Sequence, residues 1–228
     1  MTISTPIFTT LTVPVLHTIN QHHFWLSPSR VIFWEEEKIL ILSDTHFSKT
    51  GHFRKNGIAV PHDIYKEDLQ NLFNQVSLFK PNTVLIVGDL FHSTENKELD
   101  LFLKWRKDFN QIKFILVRGN HDILHESWYK TAEIEVIEGF YQVQEFVFVH
   151  DPADKVEYNK NCFVFSGHIH PGILIKGIAK QSLRFPCFYF SKNNCILPAF
   201  SKFSGIKIIK PKKTDTIYAI TKDSVIKC

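Results

Sequence analysis

Ile39-Leu40-Ile41-Leu42-Ser43-Asp44-Thr45-His46 decides how this chain is read: an apolar run of strand length stops abruptly at an aspartate and a histidine. Thr83-Val84-Leu85-Ile86-Val87-Gly88-Asp89 follows the same plan. So do three later stretches, with Lys113–Val117 leading into Gly119-Asn120-His121-Asp122, Phe146–Val149 into His150, and Cys162–Ser166 into Gly167-His168-Ile169-His170. Short runs rich in β-branched and aromatic residues are strands. In an open α/β sheet, ligands collect at the carboxyl ends of strands, where side chains from neighbouring strands converge without a covering element. Ligand-type residues behind each of these runs therefore predict one site assembled from several strand ends.

Working outward, the segments between the early strands carry a helical period. One helix is expected from about Asp63 to Phe79, with Tyr65, Leu69, Leu72, Phe73, Val76 and Phe79 on one face and Pro81 ending it. A second is expected from about Asn96 to Asp108, with Leu99, Phe102, Leu103 and Phe109 as its buried stripe. Further strands are expected at Val31–Trp34, Cys187–Phe190, Ile206–Ile209 and Thr216–Thr221. After about Glu135 the helical pattern fades, so the first half reads as βαβ units and the second as antiparallel sheet, an α/β protein. With 228 residues, 44% of them hydrophobic, the chain supports one substantial core, and a single domain over residues 1–228 is expected.

Composition bounds the function more loosely. A net charge of +4 permits an anionic substrate but falls short of the charge density of a nucleic-acid coat protein. Cys162, Cys187, Cys195 and Cys228 are too scattered for a disulfide framework. Met1 to His23 is Thr-rich and broken by Pro6 and Pro14, without the charged start and apolar stretch of a signal peptide. No window approaches the roughly 18 apolar residues of a membrane span. A cytoplasmic protein without a membrane partner is the expectation.

The strand ends supply two Asp, one Asn and four His as candidate ligands, Asp44, His46, Asp89, Asn120, His150, His168 and His170, with His121 left over. Each motif alone is weak, since aspartate after a strand commonly caps a turn; their conjunction in one order carries the inference. Oxygen and imidazole donors without thiolate suit Mn, Fe, Zn, Ni or Co, and there are more of them than the four that a single structural zinc takes. They divide better between two divalent ions, with one carboxylate bridging, because two cations about 3.5–4 Å apart repel unless an anion lies between them. Asp89 is the candidate for the bridge, beside Gly88, where a Cβ would crowd the site.

Asp44-x-His46, Gly88-Asp89, Gly119-Asn120-His121-Asp122, His150 and Gly167-His168-x-His170 resemble the five blocks of the calcineurin-like metallophosphoesterases. Phe53-Arg54-x-x-Gly57-x-x-Val60-Pro61, Leu183-Arg184-x-Pro186-Cys187-Phe188 and Leu197-Pro198-Ala199-Phe200 are similar to phrases of the bacterial ligase-associated subgroup called PdeM. The subgroup more often has glycine where Ser48 stands and where Ile206 follows Gly205.

This resemblance implies a four-layer sandwich of two mixed β-sheets flanked by α-helices. It implies one ion, most often Mn²⁺, on Asp44, His46, Asp89 and His170, and a second on Asp89, Asn120, His150 and His168. A bridging hydroxide would attack the phosphorus, and His121 would protonate the leaving group. Asp122 would either orient His121 or form a turn hydrogen bond or salt bridge. The implied activity is a phosphodiesterase acting on nucleic-acid or nucleotide diesters, a DNA-repair endonuclease working alongside a DNA ligase and helicase. Hydrolysis of a small nucleotide or another diester, or a silent partner-binding scaffold of the same fold, are the alternatives.

Substrate contacts are open to two readings each. Lys49 and Arg54 follow the first block and either line the cleft or belong to a solvated loop. His92, after Asp89-Leu90-Phe91, either supports the site or caps a turn, and Arg184 either faces substrate or solvent. Phe185, Phe188, Tyr189, Phe190, Phe200 and Phe203 offer base-stacking rings but alternate as core residues do.

Overall fold

The structure is a computed structural model that describes residues 13–47, 64–91, 96–154, 157–159, 161–177 and 181–228. The first sheet opens with β1 (Val15–Ile19), β2 (His22–Leu26), β3 (Ile32–Trp34) and β4 (Ile39–Leu42), which pair in sequence as an antiparallel meander. It continues in parallel from β4 through β5 (Thr83–Val87) and β6 (Lys113–Val117) to β7 (Ile134–Ile137). The intervening helices are α1 (Ile64–Phe79), α2 (Asn96–Lys107) and the short α3 (Glu126–Thr131). This is the expected βαβ region, with each helix returning the chain so that the next strand runs the same way.

The second sheet joins β8 (Phe140–Val143), β9 (Phe146–Val149), β10 (Phe163–Ser166), β11 (Pro171–Lys176), β12 (Ser182–Phe190), β13 (Asn194–Ile196) and β14 (Lys207–Ile208). β15 (Thr216–Ile220) and β16 (Val225–Lys227) branch from β12. This sheet is mixed rather than antiparallel throughout, since β10 runs parallel to both β9 and β13. Parallel pairing here matters, because it brings the carboxyl ends of β9 and β10 to one edge.

The period-2 alternation of strands sorts the side chains into two cores. Leu40, Leu42, Val84, Ile86, Phe114 and Leu116 face the helices and meet Leu69, Leu72, Val76, Phe102 and Tyr129. Ile39, Ile41, Leu85, Val87, Ile115 and Val117 face the second sheet and meet Phe146, Phe148, Phe165, Phe188 and Tyr218. Both faces of β4, β5 and β6 are thus buried, which is why these strands read as unbroken apolar runs. Trp34, Phe24 and Phe146 form the middle of the inter-sheet core, with the Trp34 and Phe146 rings 4.8 Å apart, edge to face. The helix-facing core is closed at its far end by Arg106, whose guanidinium donates to the carbonyls of Phe109 and Ile112.

Among the described residues, all three helices pack on the first sheet. Two mixed sheets packed face to face, with few helices, make the expected α/β sandwich. The hairpin of β1 and β2 was not foreseen: its two-residue turn uses Asn20 and Gln21 at φ 49° and 69°, without the glycine that signals such turns. β12 starts five residues before the expected Cys187, and β11, pairing with it in antiparallel register, was also missed. No described helix is long and apolar enough to cross a membrane, and all four cysteines are free thiols.

The turn between β2 and β3 carries Arg30, which donates to the carbonyls of Ala199 and Ser201 and so fastens the segment after β13 to the first sheet. Beneath that segment lies Asp68 of α1, 3% exposed. Burial pushes its carboxyl up to about 6, against the Ser201 hydroxyl, the Lys202 N–H and the charges of Lys202 and Arg30. The folded protein therefore holds this proton more tightly than the unfolded chain does. The stability it contributes is complete below about pH 4 and is lost as pH rises through about 6, at most roughly 3 kcal/mol. We predict that, between pH 4 and 7, wild type loses stability to urea relative to Asp68→Asn; parallel profiles for the two would show that Asp68 titrates normally.

Candidate metal centre

The carboxyl ends of β4, β5 and β6 lie side by side because those strands are parallel and in register, and the ends of β9 and β10 face them across the inter-sheet core. Asp44, fully buried, extends β4, with its N–H donating to the Gly88 carbonyl at 3.0 Å. His46 follows, its N–H on the Asp89 carbonyl at 2.9 Å. These bonds continue the sheet for one step beyond its strands and carry the two aspartates into a common pocket.

Left-handed backbone is the local device that turns the donors inward. Asp44, His46, Asp89, His168 and His170 all have positive φ, between 44° and 63°. Such conformations are uncommon for residues with a Cβ and persist where surrounding structure holds them. Gly88 has φ 79°, and a Cβ there would lie 1.9 Å from His150 Nδ1. At Gly167 a Cβ would lie 2.6 Å from Asp44 Oδ2. Both glycines are needed because side chains from the opposite sheet press directly on their backbone.

Asp44, His46 and His170 form one tight donor group, and Asp44, Asp89 and His150 form another. His170 Nε2 lies 3.1 Å from Asp44 Oδ1 and 3.4 Å from His46 Nε2. His46 Nε2 is 4.0 Å from Asp44 Oδ1 and 3.9 Å from Asp89 Oδ2. On the other side, His150 Nε2 is 3.4 Å from Asp89 Oδ1, 3.1 Å from Asn120 Oδ1 and 3.3 Å from His168 Nδ1. The structure thus brings together all seven residues that the sequence singled out as ligands; Asp44 belongs to both groups, and the two oxygens of Asp89 lie toward His150 and His46.

The donor set fits cations. His150 Nδ1 lies 3.2 Å from the Val87 carbonyl and His170 Nδ1 3.2 Å from that of Gly205, so each ring can donate there and turn an Nε2 lone pair inward. Imidazole nitrogens facing one another at 3.3–3.4 Å beside two buried carboxylates are arranged as ligands around positive charge. Burial raises the Asp44 carboxyl, but the His170 hydrogen bond and the charges of His170 and His150 outweigh it and hold the group below the usual carboxylate range. Ser43 Oγ donates to Asp44 Oδ2 at 2.7 Å. His168 N–H donates to Asp44 as well, at 3.0 Å, a bond from one sheet to the other.

Two further predicted residues have distinct places. His121 N–H donates to Asp89 Oδ1 at 3.0 Å, and its ring centroid lies 5.7 Å from that of His46, at the half-buried rim of the centre. Asp122 forms the turn hydrogen bonds that were one of its two readings. It accepts N–H groups of Asp89, Leu90 and Gly119, each at 2.8 Å, and of Phe91 at 3.4 Å. Burial, with the charge of Asp89 adding to it, still pushes this carboxyl up to about 6. Arg184 is exposed on β12, opposite Leu174. Lys49, Arg54 and His92 lie outside the described residues.

Sequence reasoning missed Ser43, the Asp151 carboxylate 3.6 Å from His168 Nε2, and the carbonyls that orient His150 and His170. Ser43 and Asp151 each adjoin a motif residue, which was the one available signal; main-chain carbonyls leave none.

The family profile described as calcineurin-like phosphoesterase matches residues 37–166. Among solved structures, the chain resembles a nuclease, MPE, from Pseudomonas putida, with a TM-score of 0.79 and 24% identity over 93% of this chain and 100% of that one. It also resembles Yfce, a phosphoesterase from E. coli, with a TM-score of 0.47 and 13% identity over 83% of this chain and 97% of that one, a likeness too loose to bear on function. A comparison with curated proteins gave no match. We predict that Gly88→Ala, which drives a Cβ into His150, costs about 2–4 kcal/mol in urea unfolding; stability within 0.5 kcal/mol of wild type would show that the contact relaxes freely.

Proposed function

This chain belongs to the calcineurin-like phosphoesterase family, and we propose that within it the protein is a dinuclear metal-dependent phosphodiesterase acting on nucleic-acid or nucleotide diesters. The observation that carries this reading is the convergence of Asp44, His46, Asp89, Asn120, His150, His168 and His170, from both sheets, with Asp44 common to the two donor groups and Asp89 reaching both His150 and His46. Asp44, His46, Asp89 and His170 would hold one ion, and Asp89, Asn120, His150 and His168 the other. When bound, two divalent cations, Mn²⁺ first among the candidates, supply Lewis acidity toward phosphate oxygens and lower the pKa of a water.

The chain's own residues supply orientation and a proton. Asp122 clamps together the turns that carry Asp89 and Asn120, which holds these two donors in place. The carbonyls of Val87 and Gly205 select the tautomers of His150 and His170. His121, anchored to Asp89 through its N–H, stands at the rim where a departing alkoxide would leave, and we assign it the general-acid role.

The choice of nucleic acid rests on the resemblance to the ligase-associated subgroup and on a fold shared with nuclease MPE over the whole of that chain. We also take residues 1–228 as one catalytic unit in the cytoplasm, and on the ground of that resemblance a DNA-repair endonuclease working with a ligase and a helicase.

The test is hydrolysis of bis-p-nitrophenyl phosphate and of single-stranded and duplex DNA by metal-stripped protein, with Mn²⁺ added or withheld. We expect Mn²⁺-dependent turnover of the aryl diester and of DNA; no turnover with any divalent metal would sink the enzymatic reading. Asp89→Asn should lose Mn²⁺ binding and turnover together. His121→Ala should keep the ions yet lose about 10²–10⁴-fold on DNA and far less on the aryl ester, whose phenolate hardly needs a proton. Equal losses on both substrates would argue against His121 as the acid.

A further inference from the structure

The segment after β13 separates the metal centre from a second cavity. On one edge, Ala199 bridges to Ser43 in parallel register and Phe200 N–H donates to the Ser43 carbonyl at 2.8 Å. On the other edge, the carbonyls of Ala199 and Ser201 accept Arg30 Nη1 at 3.1 and 2.8 Å. Neighbouring strands lie about 4.8 Å apart, so a single backbone spacing divides the strand end that carries Asp44 from the Arg30 side.

On that side, Arg30, Lys202 and Lys222 line a cavity of about 330 Å³ with Phe185, Pro28 and Thr221, and among the described residues no carboxylate is in its lining. Asp68, which faces Arg30 and Lys202, is buried beneath the segment and is not among the lining residues. The Arg30 guanidinium is held by two main-chain carbonyls through one nitrogen, which leaves donors on the others for a phosphate. Phe185 is half-buried, so one part of its ring packs in the protein and another borders the cavity. Three cations and an aromatic wall are the chemistry of a nucleotide unit, phosphate on one side and base on the other.

We propose that this cavity is a strand-binding subsite, which takes a backbone phosphate and stacked base of a single-stranded nucleic acid whose neighbouring diester lies at the metal centre. The proposal rests on the phosphodiesterase reading above and narrows it, because a small diester fills the centre without reaching the cavity. A polynucleotide is long enough to occupy both.

The experiment compares wild type with Lys202→Ala/Lys222→Ala, and with Lys104→Ala/Lys107→Ala on α2 as a control that removes the same charge elsewhere. Arg30 is left intact because it also secures the fold. KM for a fluorescent single-stranded oligonucleotide and its dependence on salt are measured beside turnover of bis-p-nitrophenyl phosphate. We expect the cavity variant to raise the oligonucleotide KM about tenfold and to flatten the log–log salt slope by about 1 to 1.5, with aryl-ester turnover unchanged and the control near wild type. Phe185→Leu, which keeps the packing but not the ring, should weaken oligonucleotide binding about fivefold or more.

If wild type cuts the oligonucleotide and the cavity variant matches it in KM and salt slope, the subsite is overturned while the phosphodiesterase reading stands. If wild type cleaves the aryl ester but neither binds nor cuts the oligonucleotide, subsite and nucleic-acid substrate both fall. If nothing is cleaved with any metal, the enzymatic reading fails, and fluorescence anisotropy of the same oligonucleotide decides the subsite by its sensitivity to Lys202→Ala/Lys222→Ala.

Discussion

The Asp122 carboxylate is the interaction on which the centre depends. It gathers the N–H groups of Asp89, Leu90 and Gly119 at 2.8 Å and thereby ties the turn after β5 to the turn after β6. These donors sit past the ends of their strands, where no neighbouring strand can satisfy them. Each would cost about 1–3 kcal/mol if left buried without a partner. One short acidic side chain removes that penalty and fixes the position from which Asp89 and Asn120 project. The price is a carboxyl held in a place where burial opposes its charge.

The second constraint is the contact between sheets. Large aromatic residues, Phe24, Trp34, Phe146, Phe148 and Phe165 among them, fill the space between the two layers and set their separation. Once that separation is set, His150 reaches the Val87 carbonyl and His168 N–H reaches Asp44, so each sheet completes the other's donor group. The glycines at 88 and 167 make the approach possible. The left-handed residues at the strand ends are held in place by the same cross-sheet bonds, which links local strain to the site it builds.

The sequence exposed the donors because their types are unusual behind apolar strands, and because strands buried on both faces are easy to see in a one-dimensional pattern. It was poorer where structure depends on partners. The β1–β2 hairpin turns on Asn20 and Gln21, a pair without the glycine that completes the usual hairpin signature, and β3 and the second sheet cover it. His17 and His22 show the same dependence on distant partners. In the fold His17 lies 3.0 Å from the Tyr218 hydroxyl, 201 residues away, and His22 pairs with the Trp34 indole. Arg30 offered no motif at all, yet it anchors the segment that abuts Asp44.

By itself, then, the sequence determined the chemistry available: which carboxylates, imidazoles and amide stand at strand ends, and in what order. A residue's type and its place behind a strand are local properties, and both survive in one dimension. Only the tertiary structure decided that those groups meet in one place, that Asp122 accepts from the backbone, and that cations from three distant segments meet in one cavity. Those outcomes depend on distances of a few ångströms between elements far apart in the chain, which are set by the packing of two sheets and not by any single segment.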